Sequence, residues 1–137
     1  MTDKKGVQAI VCDSQGQSFF LILRRVEEWR GWEFPKTLLK EGESEDEAVE
    51  RLIKNQVGIS KHSVVKKMDF TKIVKNGDDE HNFQFYFINA SMNIPVRNYN
   101  ADKKHDYYLW ALGSDVKTKL TWEPDKEALN EAIKIIN

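Results

Sequence analysis

Residues 32–59 read WEFPKTLLKEGESEDEAVERLIKNQVGI, and this stretch decides the fold. Ser44 is followed three residues later by Glu47, which makes a capping box in which each side chain binds a backbone N–H of the first helical turn. Gly58 stands where a helix favours a left-handed terminating residue. The stretch therefore predicts a helix from 45 to 57 with both of its ends encoded locally.

Three kinds of side chain divide the surface of this predicted helix. Apolar side chains recur every four residues, which is the spacing of a buried stripe. They are Val49, Ile53 and Val57. At about 100° per residue, Leu52, Asn55 and Gln56 form a neighbouring arc without charge. The pattern predicts one face in the core, one charged face and one neutral polar face.

The spacing over residues 37–59 resembles the Nudix box, G-x5-E-x7-R-E-U-x-E-E-x-G-U, where U is a bulky aliphatic residue. The matching residues are Glu43, Arg51, Ile53, Gly58 and Ile59. The departures are Thr37 at the leading glycine and Leu52, Asn55 and Gln56 at the three helix glutamates. Threonine disfavours the positive φ that glycine adopts freely, so we expect the chain ahead of the helix to differ from the family.

The resemblance implies a specific chemistry at the three helix positions. In Nudix enzymes their carboxylates hold divalent cations against a pyrophosphate. Mg²⁺ prefers carboxylate and water oxygens, and it offsets the charge that develops on phosphoryl oxygens. Leu52 offers no ligand, and Asn55 and Gln56 offer only neutral carbonyl oxygens. We therefore expect no metal cofactor and assign no catalytic residue, with Mg²⁺ or Mn²⁺ required only if hydrolysis survives.

The segment from Trp32 to Lys36, followed by Glu43, resembles the Trp-x-x-Pro-Lys-Gly…Gly-Glu segment of asymmetric diadenosine tetraphosphate (Ap4A) hydrolases. Residues 81–88, HNFQFYFI, resemble the strand that follows the box in that subfamily. Residues 103–110, KKHDYYLW, resemble its segment ending in tryptophan before the last helices. The family often has an acid six positions before this tryptophan, where Lys104 stands here. This fourth loss of an acid agrees with the other three.

Some side chains remain candidates for binding a ligand without metal. Lys36 carries a compact ammonium that suits phosphate oxygens. Arg24 leaves the second predicted strand near the same end, and Lys104 supplies fixed positive charge where the family has an acid. Tyr86 is a candidate for stacking on a base. Each of the three cations is also typical of a solvated surface.

Other residues have structural interpretations. Tyr86 alternates with Phe85 and Phe87, so its side chain is expected on the opposite face of a strand, and core packing is the expected role of the phenylalanines. Glu43 and Arg51 are expected to pair and to hold the loop against the helix. Gly58 completes the set of structural box residues.

The rest of the chain predicts an α/β protein. Short apolar or alternating runs predict strands at 7–13, 18–25, 64–75, 83–88 and 107–112. A short helix is predicted at 115–120, and Pro124 suits the first position of a final helix. With the resemblance, this pattern implies a Nudix-type α/β/α sandwich around a mixed β-sheet, formed by a single domain over residues 1–137.

Composition restricts the class of partner. The 137 residues carry a formal net charge of −1, which gives no general attraction to nucleic acid or to an anionic membrane, although local basic patches remain possible. The sequence shows no signal-peptide pattern and no apolar run of spanning length. The lone Cys12 lies in an apolar run and is typical of a reducing compartment, so we expect a buried thiol and a cytoplasmic protein.

Three functions stay open at this point. The first is a Nudix-fold protein that is inactive or strongly impaired and acts by binding a nucleotide, a nucleoside polyphosphate or a protein partner. The second is an active hydrolase of nucleoside polyphosphates such as Ap4A, with a non-standard metal site. The third is a protein- or RNA-binding module that keeps only the scaffold, although nucleic acid is the less expected partner.

Overall fold

The computed structural model describes residues 3–136, including every side chain among them except that of Asn76. Met1, Thr2 and Asn137, the ends of the predicted domain, lie outside the described residues. The strands are β1 (Asp3–Asp13), β2 (Phe19–Arg25), β3 (Gly31–Glu33), β4 (Lys36–Leu38), β5 (Ser63–Asn76), β6 (Asp79–Asn89) and β7 (His105–Leu112). The helices are α1 (Glu45–Arg51), a π-helical segment (Leu52–Val57), α2 (Gly113–Lys119) and α3 (Glu123–Ile136).

The strands of the described chain form one mixed sheet. Its order is β3-β2-β1-β6-β5, with β4 pairing with β1 and β7 pairing with β2. β1 and β6 pair in parallel, and the remaining pairs are antiparallel. The central strand β1 is buried on both faces from Gly6 to Asp13, which accounts for its nearly continuous apolar sequence.

Helices cover both faces of the sheet, and this confirms the predicted α/β/α sandwich. Alternate residues of β1 point to opposite faces. We call α1 and the π-helical segment together the box helix. The first core contains Val7, Ala9 and Val11 together with Val49, Leu52, Ile53 and Val57 of the box helix. The second core contains Ile10 and Cys12 together with Val116, Ala128, Leu129 and Ala132 of α2 and α3. The box helix and the C-terminal helices therefore lie on opposite sides of the sheet.

The predicted strands and helices are all present, with shifted ends. β5 and β6 are longer than predicted and form a hairpin at Gly77, whose φ is 64°. β7 begins at His105 rather than at 107, and α2 begins at Gly113 rather than at 115. No helix among residues 3–136 is both long enough and apolar enough to span a bilayer.

The prediction of one uniform α-helix from 45 to 57 is wrong in its second half. From Leu52 the helix is π-helical, and the Gly58 amide donates to the Ile53 carbonyl at 3.0 Å. Hydrogen bonds from i to i+5 widen the turn, so that residues five apart come closer to one face. This geometry lets Leu52, Ile53 and Val57 enter the first core together.

Gly58 ends the helix at φ 85°, and a Cβ there would lie 2.5 Å from the backbone nitrogen of Asn98. We expect Gly58→Ala to lower the free energy of unfolding by more than the 1–2 kcal/mol, roughly, that left-handed backbone costs a residue with a Cβ. Gly42→Ala is the matched control, because Gly42 has φ 77° and a methyl group added there would meet no atom within 4 Å. Urea unfolding measures both, and equal losses would show that the clash with Asn98 adds nothing.

Candidate functional site

Arg51 lies at the centre of the box and uses all five of its N–H donors. Nε and Nη2 each donate to one carboxylate oxygen of Glu43 at 2.8 Å, and Nη2 also donates to the Leu38 carbonyl at 2.9 Å. Nη1 donates to Thr37 Oγ1 and to Gln56 Oε1, both at 3.2 Å. The predicted Glu43–Arg51 pair is confirmed, and two of the four box departures are its additional partners.

Glu43 and Glu47 hold the loop before the helix by accepting hydrogen bonds from its backbone amides. Hydrogen bonds from Arg51, followed by the one from the Lys40 amide, lower the pKa of Glu43 to about 2. Ser44 and Glu47 each accept the other's backbone N–H at 3.1 and 3.0 Å, which confirms the capping box. Both carboxylate oxygens of Glu43 thus accept hydrogen bonds, from Arg51 and from the Lys40 amide of the loop.

Thr37 lies in β4, where it pairs with Val7 of β1. Its backbone is extended, so this position has no need of the positive φ that glycine supplies. The chain ahead of the helix therefore tolerates threonine, and the hydroxyl that threonine adds reaches Arg51.

The three positions that the Nudix pattern gives to glutamate do not share one polar face here, and this corrects the sequence interpretation. Leu52 is 2% exposed and packs in the first core. Asn55 is exposed, and its backbone carbonyl accepts from Asn98 Nδ2 at 3.0 Å. Gln56 is exposed and points its amide oxygen at Arg51. The π-helical turn separates these side chains because it turns Leu52 into the core.

A loop that the sequence left without a pattern lines the end of the box helix. The amides of Arg97 and Asn98 donate to the carbonyls of Gly58 and Val57 at 3.3 and 3.1 Å. The next residue, Tyr99, meets Tyr108 edge to face with 4.9 Å between ring centroids. Both rings are partly exposed. Neither tyrosine is among the candidates from the sequence; alternation along β7 places Tyr108 on the face opposite to Tyr107, whereas no local pattern marks Tyr99.

Tyr86 does not offer its ring for stacking on a base, and that prediction is wrong. The residue is 3% exposed, and its ring packs in the first core, opposite to Phe85 and Phe87 as its alternation predicted. The hydroxyl donates to Glu45 Oε1 at 2.7 Å. Burial, and then the hydrogen bond to Glu45, raise the pKa of Tyr86.

Lys36 belongs to a buried ion cluster rather than to an open phosphate site. Its ammonium lies 3.3 Å from Glu33 Oε1, and its side chain is 15% exposed. Glu33 also accepts from Arg25 at 3.3 Å and from His105 at 2.7 Å. Burial would raise the pKa of Glu33, but the His105 hydrogen bond and the charges of Lys36 and Arg25 lower it to about 2. Glu33 and His105 were not predicted as partners because 72 residues separate them.

A second buried pair adjoins this cluster. Lys72 donates to Asp125 Oδ1 at 2.8 Å, and Gln8 Nε2 donates to the Phe34 carbonyl at 3.1 Å. Burial raises the pKa of Asp125, and the positive charge of Lys72 offsets part of this increase. The pair ties β5 to α3, so we assign it a structural role.

Arg24 and Lys104 are both exposed, and the partners of each are residues outside the Arg51 cluster. Arg24 donates to both carboxylate oxygens of Asp106, at 2.8 and 3.1 Å. Ile22 and Arg24 are two residues apart on β2 and therefore share one face; Ile22 packs in the second core, so Arg24 faces away from the box helix. Lys104 donates its amide to Asp102 at 2.9 Å, and its carbonyl accepts from the Val26 amide at 2.8 Å. The exposed ammonium of Lys104 stays a candidate for binding an anion.

One cavity of the protein lies away from the box. This cavity of about 350 Å³ lies between β5 and the end of α3, and its lining includes Met68, Phe70 and Ile135. These residues pack against the second core. The cavity is therefore on the side of the sheet opposite to the box helix.

Comparison with known proteins decides the family. Residues 2–132 match the model of the NUDIX domain. The chain belongs to the Nudix family. A comparison with curated protein sequences gives no match. The family assignment therefore rests on the domain model, and it agrees with the box residues that the sequence retains.

Solved Nudix structures share the fold at low sequence identity. A C. elegans Ap4A hydrolase in a binary complex is 16% identical with a TM-score of 0.81, covering 97% of both chains. The E. coli dihydroneopterin triphosphate pyrophosphohydrolase is 14% identical with a TM-score of 0.75, covering 98% of this chain and 99% of its own. The NUDIX domain of Shewanella oneidensis NrtR, complexed with ADP ribose, is 13% identical with a TM-score of 0.73, covering 100% and 90%.

The divalent cation that the Nudix family implies does not fit the side chains at this box. Leu52 is apolar and buried, and the amide oxygen of Gln56 is taken by Arg51. The nearest box carboxylate, Glu43, is held by two bonds from the same arginine. Within residues 3–136, no three His, Cys, Asp or Glu side chains are grouped so that they could hold a metal ion.

His105 gives the buried ion cluster a pH dependence. Burial lowers its pKa, but the Asp102 carboxylate, 3.4 Å from Nδ1, and the hydrogen bond with Glu33 raise it above the ordinary 6.5. Protonated His105 therefore stabilises the fold below pH 6.5, and this contribution is lost as the pH rises through the raised pKa. We expect the NMR titration midpoint of the His105 ring above 6.5 and a lower midpoint in Asp102→Asn. An unchanged midpoint in that variant would exclude the Asp102 contribution.

Proposed function

We propose that this Nudix-family protein binds a nucleotide or nucleoside polyphosphate and hydrolyses it poorly or not at all. One observation carries the proposal: the side chain at the last glutamate position, Gln56, is an acceptor for Arg51 instead of a free anion. The core position of Leu52 supports it. Together they leave Asn55 as the only one of the three helix positions whose side chain is exposed without a bond to Arg51.

Coulomb energies indicate how much weaker metal binding is when these helix positions carry neutral side chains instead of carboxylates. Two unit charges 4 Å apart interact by about 4 kcal/mol near a protein surface, and a divalent cation doubles that figure for each carboxylate. A cation beside Gln56 gains no such term and instead meets the guanidinium of Arg51. Since Mg²⁺ gives up its water reluctantly, neutral amide oxygens do not compensate for the missing anions.

A nucleotide has other contacts within reach near the box. Asn55 and Gln56 are exposed at the end of the helix, and the loop from 97 to 101 lies against it with the partly exposed rings of Tyr99 and Tyr108. Aromatic faces suit bases, and the exposed Lys104, in the segment that follows this loop, is the proposed partner of phosphate. The ADP ribose bound to the NrtR NUDIX domain is an example of a nucleotide held on this fold.

The first test compares binding with turnover. We expect Ap4A, ATP or ADP-ribose to raise the thermal midpoint of the purified protein equally in Mg²⁺ and in EDTA, because the contacts do not involve a metal. Product analysis by chromatography should show no metal-dependent cleavage. Robust turnover that EDTA abolishes would support the active-hydrolase alternative instead. No shift with any nucleotide would favour a scaffold that binds another class of partner.

The second test restores charge to the exposed helix positions. We expect the double variant Asn55→Glu and Gln56→Glu to bind Mg²⁺ or Mn²⁺ more tightly than the parent by calorimetry. Lys54→Glu is the matched control, because it changes the net charge by the same −2 at the neighbouring exposed position. Leu52 stays unchanged in both variants, since a carboxylate there would be buried in the core. Equal metal affinities would show that these positions do not face a site.

A further inference from the structure

A row of side chains crosses three strands on the face of the sheet opposite to the box helix, with Arg24 and Tyr107 exposed and Trp32 half-buried. Arg24 of β2 is the direct cross-strand partner of Trp32 on β3 and of Tyr107 on β7. Direct partners share one face of a sheet. We call Trp32, Arg24 and Tyr107 the platform. We propose that the platform binds single-stranded nucleic acid, a function separate from the nucleotide binding proposed for the box.

The guanidinium of Arg24 is fixed in one orientation. It makes a bidentate pair with Asp106 and lies 5.5 Å from the centroid of the Tyr107 ring. Both charged side chains are nearly half exposed, at 47% and 45%. Exposed ion pairs stabilise a fold by only about 0–1 kcal/mol. A layered guanidinium and tyrosine ring, open to solvent, is instead a surface on which a base can stack.

Exposed aromatic rings continue from the platform. Tyr107 is 50% exposed, and its ring centroid lies 6.4 Å from that of Trp32. The Trp32 amide donates to Thr121, and the next residue, Trp122, is 41% exposed. Trp122 meets Trp29 at 5.1 Å between ring centroids. Three of the four tryptophans of the chain thus lie in one region, which supplies more than one ring for successive bases.

Positive charge borders the platform on two sides. The ammonium of Lys119 lies 5.9 Å from the ring centroid of Trp32. Arg30 is exposed, and its charge, after the hydrogen bonds and charge of Arg24, lowers the pKa of Asp106. With Arg24 balanced by Asp106, Arg30 and Lys119 remain as cations for phosphates. The attraction is local, because the net charge of the chain is −1.

The shape of the platform favours a strand over a free nucleotide. Small-molecule sites are concave and enclose most of their ligand. Here Trp32, Arg24 and Tyr107 lie side by side on three neighbouring strands, an arrangement that suits single strands, which bind by stacking and phosphate contacts without strict sequence readout. Tryptophan, tyrosine and arginine are also common at protein interfaces. The cations beside the rings favour the polyanion.

The test measures fluorescence anisotropy of a labelled single-stranded RNA of about 12 nucleotides, long enough for successive bases to reach the rings and for phosphates to reach the cations. We expect binding at low salt, about tenfold weaker in Tyr107→Ala because that variant has no ring on which a base can stack. Tyr107→Phe keeps the ring and should keep the parent affinity. Circular dichroism and the thermal midpoint establish that each variant is folded.

Charge is tested with matched pairs. The double variant Arg30→Gln and Lys119→Gln should weaken binding and flatten the salt dependence, by about 0.7 in the log–log slope for each phosphate that is no longer neutralised. The control variant Lys66→Gln with Lys75→Gln removes the same charge from exposed positions on β5, at the opposite edge of the sheet. It should change neither the affinity nor its salt dependence. Equal losses of affinity in both pairs would overturn the platform as a defined site.

Other outcomes also overturn the proposal. The first is the absence of any anisotropy change at about 100 µM protein, a concentration at which even weak non-specific binders respond. The second is an unchanged affinity in Tyr107→Ala, and the third is displacement of the RNA by stoichiometric ATP. Self-association that disappears in Tyr107→Ala, without RNA binding, would assign the surface to a second copy of the chain. The nucleotide-induced thermal shift should persist in Tyr107→Ala, so failure of this proposal is distinguishable from failure of the box function.

Discussion

Arg51 is the residue on which the arrangement of the box depends. Its guanidinium joins three segments that are separate in the chain: β4 through Thr37 and Leu38, the loop through Glu43, and the helix end through Gln56. Because a planar guanidinium presents five donors in a rigid fork, five acceptors at fixed positions define the relative placement of these segments. The fold can therefore retain the geometry of a Nudix box while its acids change.

The buried charges on the other elements serve a similar mechanical purpose. Glu33 gathers Arg25, Lys36 and His105 from β2, β4 and β7, so one carboxylate links three strands around the end of β3. Such a cluster is strongly destabilised when one partner is removed, because a buried charge is left unpaired. It explains why Lys36, which resembles a phosphate ligand in sequence, points into the interior.

Local spacing made much of the fold predictable. The capping box, the Gly58 terminus and the Glu43–Arg51 pair each involve residues of one short segment, and each is present. What the sequence could not reveal depends on distant partners or on packing. The burial of Leu52 follows from the π-helical turn, and the burial of Tyr86 follows from the helix that packs over β6. The Glu33–His105 hydrogen bond needs β3 and β7 to meet the same end of β2.

The replacements in the box also form a consistent electrostatic set. Arg51 and Glu43 neutralise each other, and the remaining donors of Arg51 go to the neutral oxygens of Leu38, Thr37 and Gln56. This cluster has no net charge, so it creates no demand for a cation. A glutamate at position 56 would leave one negative charge in excess, which a divalent metal could share with Arg51. Glutamine satisfies the same donor without that excess, and the hydroxyl of Thr37 occupies the last one. The neutral residues at these positions therefore form a balanced hydrogen-bonded structure with Arg51 and Glu43, and this balance is the physical argument for the proposal that the protein binds a nucleotide without hydrolysing it efficiently.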